Sequence, residues 1–161
     1  MDSPELTREY DSDISSKHNP LYPIWMAIFR RGDVCPEWHL YSNFEQWVFE
    51  QDTEGKELSK IVMQPNNTYF SPELCCYVDR STISQFKMAD RRNVHKLDEK
   101  YCVNHRNIYI GIYDTREEAE AVYLDVRINH LRELQCQVDD PKVHRGIENH
   151  INYLRSNDET T

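Results

Sequence analysis

Apolar residues recur at three- and four-residue spacing in four parts of the chain, a pattern that predicts amphipathic helices. The first stripe follows residues 19–20, an Asn-Pro pair that favours a helix start, and Gly32 ends it. A second, shorter helix is predicted to begin at a Ser42 cap. Thr115 and Glu118 have the spacing of a capping box and predict the start of a long third helix. The four stripes are Leu21, Ile24, Trp25 and Ile28; Phe44, Trp47 and Val48; Ala119, Val122, Tyr123, Val126, His130, Leu131 and Leu134; and Val143, Ile147, Ile151 and Leu154.

Short stretches rich in β-branched and aromatic residues predict strands between these helices. Residues 101–104 and 108–113 are predicted to form two strands joined by a tight turn. Another short strand is predicted near residues 76–78, and residues 59–62, Ser-Lys-Ile-Val, are predicted to form a buried strand. Residues 52–56 have turn composition. Helices and small sheets in this order predict an α+β fold.

The composition is that of an ordinary globular protein. Hydrophobic residues make up 39% and charged residues 29% of the 161 residues, which argues against a disordered chain. No apolar run approaches the roughly 20 residues that a membrane span requires, and the first residues are acidic, so neither a signal peptide nor a membrane span is expected. Five cysteines without a secretion signal are interpreted as reduced thiols.

Charge divides the chain into parts of opposite sign. The net charge is −9. Residues 1–18 hold five acidic and two basic residues and are predicted to form a mobile acidic arm. Residues 31–80 contain four basic and nine acidic residues, a balance of −5, whereas residues 87–110 contain six basic and three acidic residues, a balance of +3. Because DNA binding depends on neutralising phosphates, residues 87–110 are the better candidate for contact with DNA.

The segment at residues 58–72 lies within a recognisable frame. Residues 34–38, Val-Cys-Pro-Glu-Trp, precede this segment. Residues 69–75, Tyr-Phe-Ser-Pro-Glu-Leu-Cys, overlap its end and extend beyond it. This frame resembles the small HNH homing-endonuclease-like proteins of bacteriophages, in which Leu-Asp-Lys-Asp-Ile precedes Gly-Asn-Lys-x-Tyr-Ser-Pro. Both family stretches match residues 58–72 of this chain without a gap, but Ser59 and Ile61 stand where the family has its two aspartates. The resemblance implies a small, degenerate ββα-type module at 19–86.

An HNH centre needs a divalent metal, held by hard ligands, to neutralise the phosphodiester while hydroxide attacks. Ser59 is a poor ligand, and Ile61 can neither ligate a metal nor accept a proton. Asn67 remains as a candidate for fixing the loop. We therefore predict no catalytic residues, no metal and no other cofactor. Magnesium is expected only under the alternative of an active endonuclease with unusual ligands such as His39, Glu57 and Asn67.

The remaining cysteines and histidines do not have the spacing of a zinc site. Cys35 and His39 are separated by three residues, and Cys75 is followed directly by a second cysteine, whereas fingers and ribbons repeat Cys-x-x-Cys pairs. Adjacent cysteines in a strand point to opposite faces. We therefore predict core packing for Cys35 and Cys75. His144 and His150 are predicted to lie off the stripe of the final helix and to be solvated.

Residues 109–119, Tyr-Ile-Gly-Ile-Tyr-Asp-Thr-Arg-Glu-Glu-Ala, with Tyr123 beyond them, resemble a second family. They are similar to the end of the sheet and the helix of the Apetala (ethylene-response-factor-type) DNA-binding domain, which often follows HNH nucleases in phage proteins. In that family a three-stranded sheet lies in the major groove and the helix braces it. The resemblance implies a small antiparallel sheet packed on a long helix at 87–136, followed by a C-terminal helix and tail at 137–161. Carried over by position, the candidate DNA contacts are Arg91, Arg92, His95, Lys96, Lys100, His105 and Arg106. A solvated basic face remains the alternative.

Three functions follow from these features. The first is a non-catalytic, phage-type protein in the host cell cytoplasm that inhibits a host nuclease or another nucleic-acid-processing or defence protein by partly imitating the charge of DNA. Its candidate partner-binding residues are Glu45, Glu50, Asp52, Glu54 and Glu57. The second is a DNA-binding protein that uses residues 87–110. The third is an active metal-dependent endonuclease.

Overall fold

The computed structural model describes residues 19–87 and 93–158. The predicted acidic arm and two of the predicted DNA contacts, Arg91 and Arg92, lie outside the described residues. The chain divides between Ser84 and Gln85 into an N-terminal unit and a C-terminal unit. Helices and small separate sheets give an α+β fold. None of the helices in the described ranges is both long and apolar enough to span a membrane.

The N-terminal unit combines short helices with two two-stranded sheets. Strand β1 pairs with β3 in parallel, and β2 pairs with β4 in antiparallel orientation. The helix α3 contains the point at which the chain divides. The elements in order are α1 (Leu21–Arg31), β1 (Asp33–Val34), a 3₁₀ helix (Pro36–His39), α2 (Tyr41–Phe49), β2 (Glu57–Ser59), β3 (Tyr69–Phe70), β4 (Cys76–Val78) and α3 (Arg80–Phe86).

Aromatic side chains form the core of the N-terminal unit. Trp25, Trp38, Phe44 and Phe70 are at most 1% exposed. The indole Nε1 of Trp25 donates a 2.7 Å hydrogen bond to the carbonyl oxygen of Trp38, so this buried polar group is satisfied. The ring centroid of Trp38 lies 5.2 Å from that of Phe44 in an edge-on arrangement. The predicted stripes of α1 and α2 supply Trp25 and Phe44, the 3₁₀ helix supplies Trp38, and β3 supplies Phe70.

Two local predictions for the N-terminal unit are wrong. Ser42 lies inside α2, and the cap residue Leu40 makes no side-chain cap hydrogen bond. Strand β2 ends at Ser59 instead of continuing to Val62. The Ser59 hydroxyl accepts a hydrogen bond from the Ile61 backbone N–H at 3.3 Å, and this local contact favours a bend over an extended strand.

The C-terminal unit is a three-stranded antiparallel sheet with two long helices. The strand order is β5-β6-β7. The two predicted strands and their turn are confirmed, and Arg106 and Asn107 in the turn have positive φ angles of 51° and 64°. The Thr115 hydroxyl accepts from the Glu118 N–H at 3.2 Å, which confirms the predicted cap. The elements are β5 (Val94–Leu97), β6 (Lys100–His105), β7 (Ile108–Tyr113), α4 (Arg116–Gln137) and α5 (Pro141–Asp158).

The stripes of α4 and α5 form the core of the C-terminal unit. The fully buried residues include Val103 on β6 and, on the helices, Ala119, Leu131, Val143, Ile147 and Ile151. The prediction of a solvated His150 is wrong, because that side chain is 4% exposed and its ring lies 4.8 Å from Phe86. His150 follows Ile147 by three residues and therefore belongs to the buried stripe at helical spacing. His144 is half-buried.

Candidate functional site

The side chains of residues 59–61, where the resemblance implied a degenerate metal centre, make contacts that serve the fold. Ser59 is 4% exposed and its hydroxyl is engaged by the backbone of Ile61. Between them, the ammonium group of Lys60 donates to the carbonyl oxygen of Arg31 at 2.7 Å and lies 4.9 Å from the centroid of the Phe70 ring. The stretch at 59–61 is thus built as a packed loop around a cation–π contact.

Asn67 fixes this loop through three hydrogen bonds. Its Nδ2 donates to the carbonyl oxygens of Lys60 at 2.7 Å and Tyr69 at 2.9 Å, and its Oδ1 accepts from the Tyr69 N–H at 2.9 Å. The side chain therefore ties the end of β2 to β3. This is the role that the resemblance assigned to Asn67, and the contacts that perform it are all to the backbone.

The other candidate ligands also have structural contacts. The Nε2 of His39 is 3.2 Å from the carbonyl oxygen of Val34, and its ring lies 5.5 Å from that of Phe29. Cys35 and Cys75 are buried, as predicted, and burial raises the pKa of the Cys35 thiol to about 11. Within residues 19–87 and 93–158, no three His, Cys, Asp or Glu side chains are grouped to hold a metal ion.

The five predicted partner-binding acids are not equivalent. The Glu45 carboxylate accepts hydrogen bonds from the Tyr41 hydroxyl at 2.7 Å and from Asn19 at 3.0 Å, so it serves the fold. Asp52 forms a 2.6 Å ion pair with Lys56, which lowers the pKa of the Asp52 carboxyl group. The other three predicted residues, Glu50, Glu54 and Glu57, are exposed.

An exposed aromatic residue precedes these three carboxylates. Phe49 is the last residue of α2 and is 74% exposed, more than any other large hydrophobic side chain in the described residues. We call residues 49–57, with the exposed Phe49, Glu50, Glu54 and Glu57, the acidic segment. Sequence reasoning missed Phe49, although its place outside the stripe of α2 was the signal. Aromatic side chains are enriched at protein–protein interfaces relative to the rest of the surface.

The predicted DNA contacts that fall within the described strands lie on both faces of the sheet. Paired residues of neighbouring strands share a face, and successive residues alternate. Lys96 pairs with Tyr101 and therefore lies on the face of the buried Val103, against which α4 packs. His95 and Lys100 lie on the opposite, outer face.

The outer face of the sheet is more apolar than the resemblance implies. Leu97, Tyr109 and Ile112 on this face are 49%, 63% and 41% exposed. Lys100 forms a 3.1 Å ion pair with Asp114, which reduces its availability to a phosphate. His95 and Lys100 are thus the two predicted DNA contacts in the described residues that share this face.

His105 and Arg106 belong to a different group of side chains, on the α4 side of the sheet. The ring centroid of His105 lies 5.1 Å from that of His130, and Arg106 Nη1 donates to Gln85 Oε1 at 2.6 Å. Arg127, only 7% exposed, donates to the carbonyl oxygen of Gln85, and His130 Nε2 hydrogen-bonds to Gln85 Oε1. We call Gln85, His105, Arg106, Arg127 and His130 the Gln85 cluster.

Sequence reasoning missed the buried arginine of this cluster. Arg127 lies four residues after Tyr123 and four before Leu131, on the stripe that α4 turns toward the sheet. That spacing was the available signal. Burial and the neighbouring Arg106 lower the pKa of the Arg127 guanidinium.

Stability of the C-terminal unit is expected to fall with acidification. Burial lowers the pKa of His105 and His130 below the ordinary 6.5, and the charges of Arg106 and Arg127 lower both further. The unfolded chain therefore takes up these protons at a higher pH than the folded unit does. Stability is fully present above about pH 6.5 and is lost as pH falls toward the depressed folded-state values.

Denaturant unfolding between pH 7.5 and 5, about the range in which histidine titrates, measures this effect. The slope of the unfolding free energy against pH is expected to decrease in His130→Gln and to persist in His95→Gln, which changes an exposed histidine of the outer face. Equal slopes in His130→Gln and the unaltered protein would contradict the assignment.

Comparison of the chain with protein-family models, curated proteins and solved structures returned no significant match.

Proposed function

We propose that the chain is a non-catalytic, phage-type protein that binds and inhibits a host nuclease or another nucleic-acid-processing or defence protein. The observation that carries this proposal is the acidic segment, in which exposed Phe49 is followed by the exposed carboxylates of Glu50, Glu54 and Glu57. It lies within a stretch, residues 31–80, whose formal balance is −5. Such a surface repels DNA and attracts proteins that bind DNA.

The state of the 59–61 loop supports a role without strand cleavage. Phosphodiester hydrolysis by an HNH centre needs carboxylate or imidazole groups at the metal. Ser59 uses its hydroxyl for the Ile61 N–H, and Ile61 has no group that could ligate or accept a proton. Lys60 lies against Phe70 and the Arg31 carbonyl group. These contacts support a structural role for the loop and not a catalytic one.

The acidic segment would bind where a partner normally binds DNA phosphates. Its carboxylates supply negative charge that pairs with lysines and arginines of a DNA groove, while Phe49 supplies a large apolar side chain that can enter a pocket between them. Charge pairs at the rim speed association and make it sensitive to salt. Burial of the aromatic side chain contributes the part of the affinity that salt does not remove.

Mixing the protein with a panel of purified host DNA-processing and defence proteins tests this proposal. We expect a complex with at least one basic member of the panel, and its affinity should fall as salt rises from about 50 to about 200 mM. Size-exclusion chromatography and fluorescence anisotropy measure both properties. A panel in which no salt-sensitive complex forms would remove the proposal.

DNA binding through the C-terminal unit is the second candidate, and the placement of His95 and Lys100 on the outer face with exposed Tyr109 favours it. Duplex DNA is therefore included in the panel. A mobility shift of duplex DNA at low salt that is lost in Arg91→Ala/Arg92→Ala would favour this candidate over the first. The apolar character of the outer face and the ion pair of Lys100 with Asp114 argue for the first.

A further inference from the structure

We infer that the Gln85 cluster is a binding site for a phosphate group. The inference is independent of the proposed function, since the cluster lies in the C-terminal unit and contains none of the acidic segment. Three separate parts of the chain supply its side chains: Gln85, the end of β6 and the turn after it with His105 and Arg106, and α4 with Arg127 and His130. Hydrogen bonds and ring contacts between residues 21 to 45 positions apart hold these three parts together.

Positive charge in the cluster has no carboxylate partner in the described part of the chain. Arg106 and Arg127 donate hydrogen bonds to the oxygen atoms of Gln85, and neither forms an ion pair with an Asp or Glu of residues 19–87 or 93–158. Glu133 affects His130 only at a distance, through its charge. Because a buried cation without an opposing charge is costly, an anion bound here would stabilise the cluster.

One buried nitrogen of the cluster also lacks a hydrogen-bond partner. The Nε2 atom of His105 is inaccessible to solvent and makes no hydrogen bond to any described residue, although its ring contacts those of Tyr123 and His130. Buried polar atoms in proteins are paired in the large majority of cases, so an atom of this kind calls for an acceptor. A phosphate oxygen would be such an acceptor.

Arg106 is the exposed side chain of the cluster that would contact the ligand from solvent. Its side chain is exposed, and its hydrogen bonds to described residues all use Nη1. The guanidinium has five N–H donors in a planar fork, so its other donors fit two oxygens of a tetrahedral phosphate. The Nε2–H group of neutral His105 would donate to a third oxygen. Carboxylates offer fewer acceptors, and halides offer no match to the fork.

Histidine NMR signals of the full chain test the inference directly. Sodium phosphate is titrated against sodium chloride at equal ionic strength, and the Hε1 signals are assigned with His105→Gln and His130→Gln. We expect the signals of both histidines to shift and saturate with phosphate alone. Arg106→Gln should weaken the apparent affinity about tenfold or more, since a hydrogen bond to a charged group is lost. Arg145→Gln, which changes an exposed arginine of α5, should bind as the unaltered protein does.

A short DNA oligonucleotide in a parallel titration distinguishes a free phosphate from a nucleic-acid phosphate. If the oligonucleotide shifts the same two signals at lower concentration, and Arg106→Gln abolishes this, the site takes backbone phosphate; if inorganic phosphate alone acts, the ligand is a free anion. The unchanged signals of the other histidines in the described residues, His39, His95, His144 and His150, report that each variant is folded. Equal shifts in phosphate and chloride, or an Arg106→Gln variant that binds phosphate normally, would overturn the inference.

Discussion

Replacing Ser59 by aspartate is expected to lower the free energy of unfolding of the N-terminal unit by about 3–5 kcal/mol at neutral pH, because an uncompensated charge would be buried. Ser59 is 4% exposed and lies opposite Cys76, which is 2% exposed. Its neighbour Lys60 is held by the Arg31 carbonyl oxygen and the Phe70 ring and does not offer a counter-charge. The substitution would place a carboxylate at a position that is buried in this structure.

Denaturant unfolding of Ser59→Asp, with and without Mg²⁺, measures this cost. Ser59→Ala is the matched control and should lose about 1 kcal/mol, the value of one hydrogen bond to the Ile61 N–H. Burial raises the pKa of the introduced carboxyl group, so its destabilising effect should decrease as pH falls and the group is protonated. Recovery of stability in Mg²⁺, together with plasmid nicking, would show that the loop still forms a metal centre.

Removing the aromatic ring of the acidic segment is expected to weaken binding to the partner and to leave the stability of the fold nearly unchanged. Phe49→Ala should change the free energy of unfolding by no more than about 0.5 kcal/mol, because the side chain is 74% exposed. The same variant should bind the partner roughly thirtyfold less tightly, the effect of losing an aromatic anchor worth about 2 kcal/mol. Glu50→Lys/Glu54→Lys should weaken the complex further and flatten its dependence on salt.

The pair Asp125→Lys/Asp139→Lys is the control for that double variant. Both residues are exposed on the C-terminal unit, and their reversal changes the net charge of the chain by the same amount. Binding curves recorded by anisotropy at two salt concentrations compare the pairs. If both pairs weaken the complex equally, net charge governs association and the acidic segment has no special role.

Features set by neighbouring residues could be predicted from the sequence. The stripes of α1 and α5, the Thr115 cap and the turn after His105 depend on contacts within a few positions of the chain. Strand β5 was missed because its four residues are half-buried or exposed and show no apolar alternation; it exists through pairing with β6. The bend after Ser59 was missed because one side-chain hydrogen bond outweighs the extended preference of the residues that follow.

The candidate sites required contacts across the chain. Whether an acid is available to a partner depends on distant residues: Glu45 is held by Asn19, 26 positions away. Likewise, Arg106 and Arg127 meet at Gln85, 21 and 42 positions away, whereas the resemblance, carried over by position, assigned Arg106 to a DNA-binding sheet. The charge balance of each half was predictable, whereas the face on which each charge lies was not.

The central claim is that the acidic segment binds a protein in the place of DNA. It is tested most directly by adding this protein to a complex of labelled duplex DNA with the host protein identified in the panel, in Mg²⁺, and following anisotropy and DNA length together. We predict that the DNA is displaced as the protein is added and remains intact. Retention of the DNA in a ternary complex, or Mg²⁺-dependent cleavage that His39→Ala abolishes, would contradict the claim.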